Sequence, residues 1–508
     1  MFRVYLCTCV RVYLPTCVPV YFLNNMTNWT NKRVLILGAA RQGQALARWL
    51  ARHGARVTLN DLRPLDDMRA SQAALSDVDV EWALGSRPLE LLTRVDLLCP
   101  SGGIPLTLPI VVEAVQRGIP LSNDTQIFLE AAPCKTIGIT GSAGKTTTTA
   151  LVGEMAKLAF HNSEFRIQNY EGKPAPRSFI GGNIGDPLIN YVDEMKPNDL
   201  AILEISSFQL DQMSASTDIA AVLNVTPNHL DRHGTLEAYT AAKERLLDFQ
   251  SENSTAILGR DDPGSWGLRD RVRGKLLTFS LSPLDEGLNG SYLDPSTSLR
   301  TSDGLLALRE SFAYTPLLLR EKIQLRGDHN VSNALAAFAI GHAAGFPLDA
   351  MLTAAEEFRG VPHRLEFVRE FNGARWYNDS IATAPERTMA AIRSFDEPIV
   401  LLLGGRDKNL PWGDLADLVH QRVEHVVIFG EAAGLIEAAL GPERSVEGSG
   451  KTRTQARCEG LREAVKKAAQ VAESGCVVLL SPGCASFDEF TDFAERGERF
   501  KTWALELS

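Results

Sequence analysis

Cysteine is scarce in this chain, with eight among 508 residues and none in a CxxC pair. A disulfide framework and a structural zinc site are therefore poor readings, and a reducing compartment such as the cytoplasm is the simpler setting. An excess of positive charge is missing too. Lys and Arg number 52 against 62 Asp and Glu, a formal charge of -10. That balance argues against a nucleic-acid groove as the main function but leaves room for a local basic pocket that holds phosphates. Val4 to Leu23 is apolar enough to resemble a signal peptide or membrane segment, yet Arg11, Pro15 and Pro19 interrupt it and no small-residue cleavage site follows. It also repeats with period eight, as VYLCTCVR, VYLPTCVP and VYF. Residues 1–25 are read as translated upstream sequence ahead of Met26, with a targeting segment as the alternative.

What is present suits a soluble globular protein of several domains: 44% apolar and 22% charged residues, in a chain longer than one core usually serves. From Lys32, RVLILG, QALARWLARHG and ARVTLND alternate strand-like and helix-like patterns. A second such unit starts at TIGITGSAGKTTTTALVGEMAKLA, and a third runs from PIVLLLGG through HVVIFG to CVVLLSPG. Three series predict three α/β domains with parallel sheets, bounded as 26–123, 124–360 and 361–508. The polar stretches His161 to Ser178 and Pro283 to Glu310 lack clear periodicity and are expected to be surface insertions.

The most specific local signal is GITGSAGKTT, Gly138 to Thr147, between a β-branched run and a helical one. Glycines there let backbone amides turn toward anionic oxygens, Lys145 adds a point charge, and the Thr146 hydroxyl can ligate Mg²⁺. ATP is the leading ligand, and a glycine-rich turn with a chance lysine is the alternative. GGNIG (181–185), EISSFQL from Glu204 and NVTPNHLDRHG from Asn224 each follow or end an apolar run, where α/β sheets place ligand loops. Glu204 could reach the same Mg²⁺; read alone, it or His229 is better explained as a capped or solvated polar residue, and their order behind a phosphate loop reverses that reading. Farther on come GDHNVSNALAA, in which Asn330 could be a helix N-cap, then PHRLEF, WYNDSIATAPERT, LLLGGRDKNL and LLSPGCASFDEFTDFAERG. In the first domain VLILGAARQGQALARWL has glycines only at Gly38 and Gly43, a weak dinucleotide fingerprint.

In this order the motifs resemble the Mur ligase family over Lys32 to Leu505, and within it the members that add D-glutamate to UDP-N-acetylmuramoyl-L-alanine. The resemblance implies a Rossmann-like N-terminal domain, a central P-loop ATPase-like domain and a Rossmann-like C-terminal domain. It also implies ATP, two Mg²⁺ ions and acyl-phosphate chemistry in peptidoglycan precursor synthesis. Gly141, Ser142, Ala143, Gly144, Lys145, Thr146 and Thr147 would hold ATP phosphates. Asn330 and Asn333 would lie by the adenine, and His363, Arg364 and Asp379 by the ribose and phosphates. Thr146 and Glu204 would bind one Mg²⁺, His229 and a carbamylated Lys243 the second. Gly38, Arg41, Gln42, Asp61, Arg63, Gly103 and Asn183 would meet the UDP-sugar, and Thr383, Lys408, Ser486 and Phe493 the D-glutamate. The implied protein is a cytoplasmic monomer without nucleic-acid or stable membrane partners. It departs from the family pattern at Ala143 (usually Asn), Asn228 (commonly an acid), Ile381 (often Lys) and Gly102 (usually Pro). A polyglutamate-forming relative and a catalytically silent binding protein are the competing readings.

Overall fold

The computed structural model describes residues 28–162, 175–183, 185–295, 304–408, 410–441 and 454–508. The N-terminal repeat, and the middle of the stretch from His161 to Ser178, lie outside the described residues. The chain forms two compact units, one running to Leu317 and taking in Ser332–Leu352, the other made of Leu318–Val331 and Thr353–Ser508.

The first unit holds two sheets. Strands β1 (Arg33–Leu37), β2 (Arg56–Asp61), β3 (Val80–Leu84) and β4 (Leu97–Pro100) form a parallel sheet of order β3-β2-β1-β4. Strands β5 (Lys135–Thr140), β6 (Ser178–Gly182), β7 (Leu200–Glu204), β8 (Ile219–Val222), β9 (Thr255–Gly259), β10 (Lys275–Ser280), β11 (Gly290–Asp294), β12 (Leu305–Glu310) and β13 (Ala313–Leu319) form the second. Its order is β13-β12-β11-β10-β9-β8-β5-β7-β6. The pairs from β6 to β11 are parallel, and β12 runs antiparallel to β11. LAILE in β7 is buried at every position, as expected of a strand covered on both faces. One hydrophobic core serves both sheets, joining Leu46 and Leu50 of the helix Arg41–Arg52 to Leu188, Leu203 and Val222.

The second unit has β14 (Glu366–Phe371), β15 (Ala374–Asn378), β16 (Ile399–Gly404), β17 (Val423–Phe429), β18 (Thr454–Arg457) and β19 (Val477–Gly483), ordered β14-β15-β19-β16-β17-β18. All neighbours pair in parallel except β14 with β15.

Two sequence expectations need correction. Pro283 to Glu310 is not merely an insertion, because β11 and β12 lie within it and extend the central sheet. The helix expected to open at Asn330 begins at Asp328, so Asn330 is not its N-cap; its side chain donates to Arg326 O at 2.8 Å.

Candidate functional site

Strand register decides which loops become neighbours. In the central sheet Ile139 and Gly182 both pair with Glu204, and Thr140 pairs with Val222. The carboxyl ends of β5, β6, β7 and β8 therefore bring the glycine loop, Asn183, Glu204 and Asn224 together.

The loop is held both by neighbouring segments and by its own lysine. Asn224 Oδ1 accepts from the Ala143 amide at 2.8 Å, and its Nδ2 donates to Ala143 O at 3.1 Å. Ser142 Oγ donates to Thr226 O at 2.9 Å and accepts from Tyr239 OH at 3.2 Å. Gly144 is left-handed at φ 83° and precedes the helix Lys145–His161. A Cβ there would stand 2.2 Å from Asn333 Oδ1, which places Asn333 over the loop. Lys145 Nζ donates to the carbonyls of Gly141 and Ser142 at 2.8 and 3.3 Å. Thr146 and Thr147, in the first turn, are buried.

Glu204 is buried, and only one of its carboxylate oxygens has a partner: Oε1 accepts from Asn183 Nδ2 at 2.9 Å, while Oε2 has no hydrogen-bond partner. An orphaned buried carboxylate oxygen costs free energy unless a cation or donor meets it. This donor set, a carboxylate one strand from a threonine hydroxyl, suits Mg²⁺.

Lys243 lies in the helix Leu236–Asp248 and is 1% exposed. Its Nζ donates to Thr140 Oγ1 at 3.3 Å and lies 4.6 Å from the centre of the Tyr239 ring. Burial, and then the nearby Lys145 ammonium, push its pKa well below the usual lysine range. His229 is exposed, left-handed at φ 53°, with its ring 5.1 Å from that of Phe208.

In the first sheet Leu37 pairs with both Asn60 and Pro100, so Gly38 to Gln42, Asp61 to Arg63 and Ser101 to Gly103 meet at one end. Gly43 permits the helix to pack there, since a Cβ would stand 1.9 Å from Gly38 O. Asp61 accepts from the amides of Ala39 and Arg63 at 2.9 and 3.0 Å, and from the Arg63 guanidinium twice at 2.9 Å. Those bonds, Arg63 foremost, hold its carboxyl far below the usual range. Asp61 thus organises the turn as an anchored anion, while Arg41, Arg63 and Gly103 are exposed.

In the second unit Asn378 pairs with Leu480, and Gly404 with Gly483. The loops carrying Asp379 to Thr383, Lys408 and Ser486 thus rise side by side. Lys408 Nζ donates to Thr383 Oγ1 at 2.9 Å; burial first, then Arg387 and Arg496, lower its pKa. Asp379 accepts from Ser481 Oγ at 2.9 Å and from the Leu365 amide at 3.2 Å, and burial raises its pKa to about 7. Arg364 and Arg387 partly counter that rise. His363, left-handed at φ 64°, is buried with Nδ1 at 3.0 Å from Asn378 Nδ2, and burial lowers its pKa. Ser486 is buried and Phe493, at the start of the helix Phe493–Leu505, is 36% exposed.

Sequence reasoning missed Asn224, Tyr239, Ser481 and Arg496. Asn224 had a signal, since it ends the apolar run before TPNHLD. The others become visible only through partners distant in sequence.

Three family models match consecutive parts of the chain. They are "Mur ligase MurD-like, N-terminal domain" over residues 32–123, "Mur ligase middle domain" over 139–341 and "Mur ligase, glutamate ligase domain" over 363–484. The chain belongs to the Mur ligase family. The curated protein named UDP-N-acetylmuramoylalanine--D-glutamate ligase of Pelotomaculum thermopropionicum is 37% identical, covering 95% of this chain and 99% of that protein. The protein of the same name from Symbiobacterium thermophilum is 36% identical, with 94% and 98% covered. Among solved structures, the UDP-N-acetylmuramate-alanine ligase of Thermotoga maritima shares the fold, with TM-score 0.51 at 19% identity over 92% of this chain and 98% of that one.

Proposed function

We propose that this chain joins D-glutamate to UDP-N-acetylmuramoyl-L-alanine at the expense of ATP, giving ADP and phosphate, in peptidoglycan precursor synthesis. The name shared by relatives over nearly the whole chain supports the substrates. The observation that carries the phosphoryl chemistry is the buried Glu204 with one unpartnered oxygen, beside a glycine loop bearing Lys145. Residues 26–123 are assigned to the UDP-sugar, 124–360 to ATP and 361–508 to the amino acid. Among the described residues no helix is long and apolar enough to cross a membrane. A cytoplasmic monomer without stable membrane or nucleic-acid partners is part of this proposal.

A carboxylate is a poor electrophile, so the L-alanyl carboxylate must become an acyl phosphate before an amine can attack it. Gly141 to Thr147 hold the ATP phosphates, with Lys145 offsetting their charge. Thr146 and Glu204 would hold one Mg²⁺, and His229 with a carbamylated Lys243 a second, and bound there they would supply charge neutralisation at the transferring phosphoryl group. Asn330 and Asn333 attend the adenine, and His363, Arg364 and Asp379 the ribose and phosphates. Gly38, Arg41, Gln42, Arg63, Gly103 and Asn183 receive the UDP-sugar, with Asp61 fixing the turn that presents them. Thr383, Lys408, Ser486 and Phe493 orient D-glutamate, Lys408 meeting its charge. The test is phosphate release with UDP-N-acetylmuramoyl-L-alanine and ATP, comparing D-glutamate with L-glutamate, lysine and diaminopimelate. Release should require the UDP substrate and D-glutamate together. Equal turnover with lysine or diaminopimelate, or release without the UDP substrate, would overturn the assignment.

A further inference from the structure

Arg496 is fully buried, and its guanidinium makes its bonds to backbone and hydroxyl oxygens. Nε donates to Ser380 Oγ at 3.0 Å, Nη2 to Ser380 O at 2.9 Å and Cys484 O at 3.1 Å, and Nη1 approaches Gly404 O at 3.5 Å. Burial lowers its pKa to about 10, the mark of a cation held in the interior at a cost. Each acceptor roots a different loop. Ser380 leads to Thr383, Gly404 ends β16 and leads to Lys408, and Cys484 leads to Ser486. Arg496 itself lies in the first turns of the helix that starts at Phe493, and Ser380 Oγ donates to Phe493 O at 2.8 Å. The loop after β16 closes directly over the guanidinium: a Cβ at Gly405 would stand 3.0 Å from Arg496 Nη1 and 2.2 Å from Ala485 O.

We infer that Arg496 is a positioning residue of the amino-acid pocket, one guanidinium fastening together the four segments that carry Thr383, Lys408, Ser486 and Phe493. The inference rests on the reading that those four residues bind D-glutamate. A planar fork with five donors spans three loops at once, whereas an ammonium is a single point with three donors. Shifts of one segment against another change the affinity for a substrate that touches all of them.

The test measures KM for D-glutamate, ATP and the UDP substrate in Arg496→Lys, Ser380→Ala and Lys408→Met, with thermal melting of each variant. Arg496→Lys should raise the D-glutamate KM about tenfold or more while the other two stay within about twofold, and Ser380→Ala should shift it the same way by less. If Arg496→Lys moves all three constants together, or none while Lys408→Met still raises that for D-glutamate, the positioning role is wrong and the pocket stands. If neither Arg496→Lys nor Lys408→Met affects D-glutamate, the pocket reading fails and this inference with it. Should Arg496→Lys not fold, Ser380→Ala decides: no selective rise in the D-glutamate KM overturns the inference.

Discussion

A buried ammonium without a counter-ion is expensive, because the charged form loses its hydration and gains nothing equal in return. Among the described residues Lys243 is such a group, its Nζ meeting Thr140 Oγ1 and the face of Tyr239. Burial, and then the nearby Lys145 ammonium, push its pKa down, and the neutral amine is the form of a lysine that can attack carbon dioxide. On the proposed reading Lys243 would carry a carbamate, an anion with oxygens to offer a cation, whereas an ammonium has three donors and no acceptor. Lys243→Ala should therefore lose turnover by about a hundredfold or more and recover part of it with acetate, followed by phosphate release. Full turnover in the unsupplemented variant would refute the carbamate. In AYTAAKERLLDF the residue types alone give a solvated helix lysine and only the family resemblance points to the carbamate; its burial, against Thr140 and Tyr239, is a property of the fold.

At the scale of elements, the phosphate loop depends on one backbone conformation and one close approach. Gly144 takes φ 83°, where an L side chain is strained, and Asn333 leaves no room for a Cβ. Gly144→Ala should destabilise the first unit by about 1–3 kcal/mol and abolish measurable ATP binding by calorimetry. Unchanged melting and ATP affinity would show that the loop does not need this geometry. Its chemistry was legible as GSAGKTT because loop residues lie next to one another in sequence. The strands β11 and β12 were not legible within Pro283 to Glu310, since GSYLD and LLALRE are short and lack clean alternation. Gly290, with φ 139°, fits so closely that a Cβ would stand 1.8 Å from Thr278 O, so neighbour pairing rather than local propensity makes that strand.

For the whole molecule, residues assigned to one reaction are divided between two compact units. Lys145, Glu204 and Lys243 lie in one, and His363, Asp379 and Lys408 in the other. The sequence by itself determined the α/β class, the phosphate loop and the order of the ligand-bearing loops, because helical and strand periods and glycine turns are local properties of the chain. Only the tertiary structure decided which loop ends stand side by side, that Asp61 is spent on its own turn, that Glu204 keeps one oxygen free of partners, and that Lys243 and Arg496 are buried. Those properties depend on strand register and on contacts between residues far apart in the chain, which no local pattern encodes.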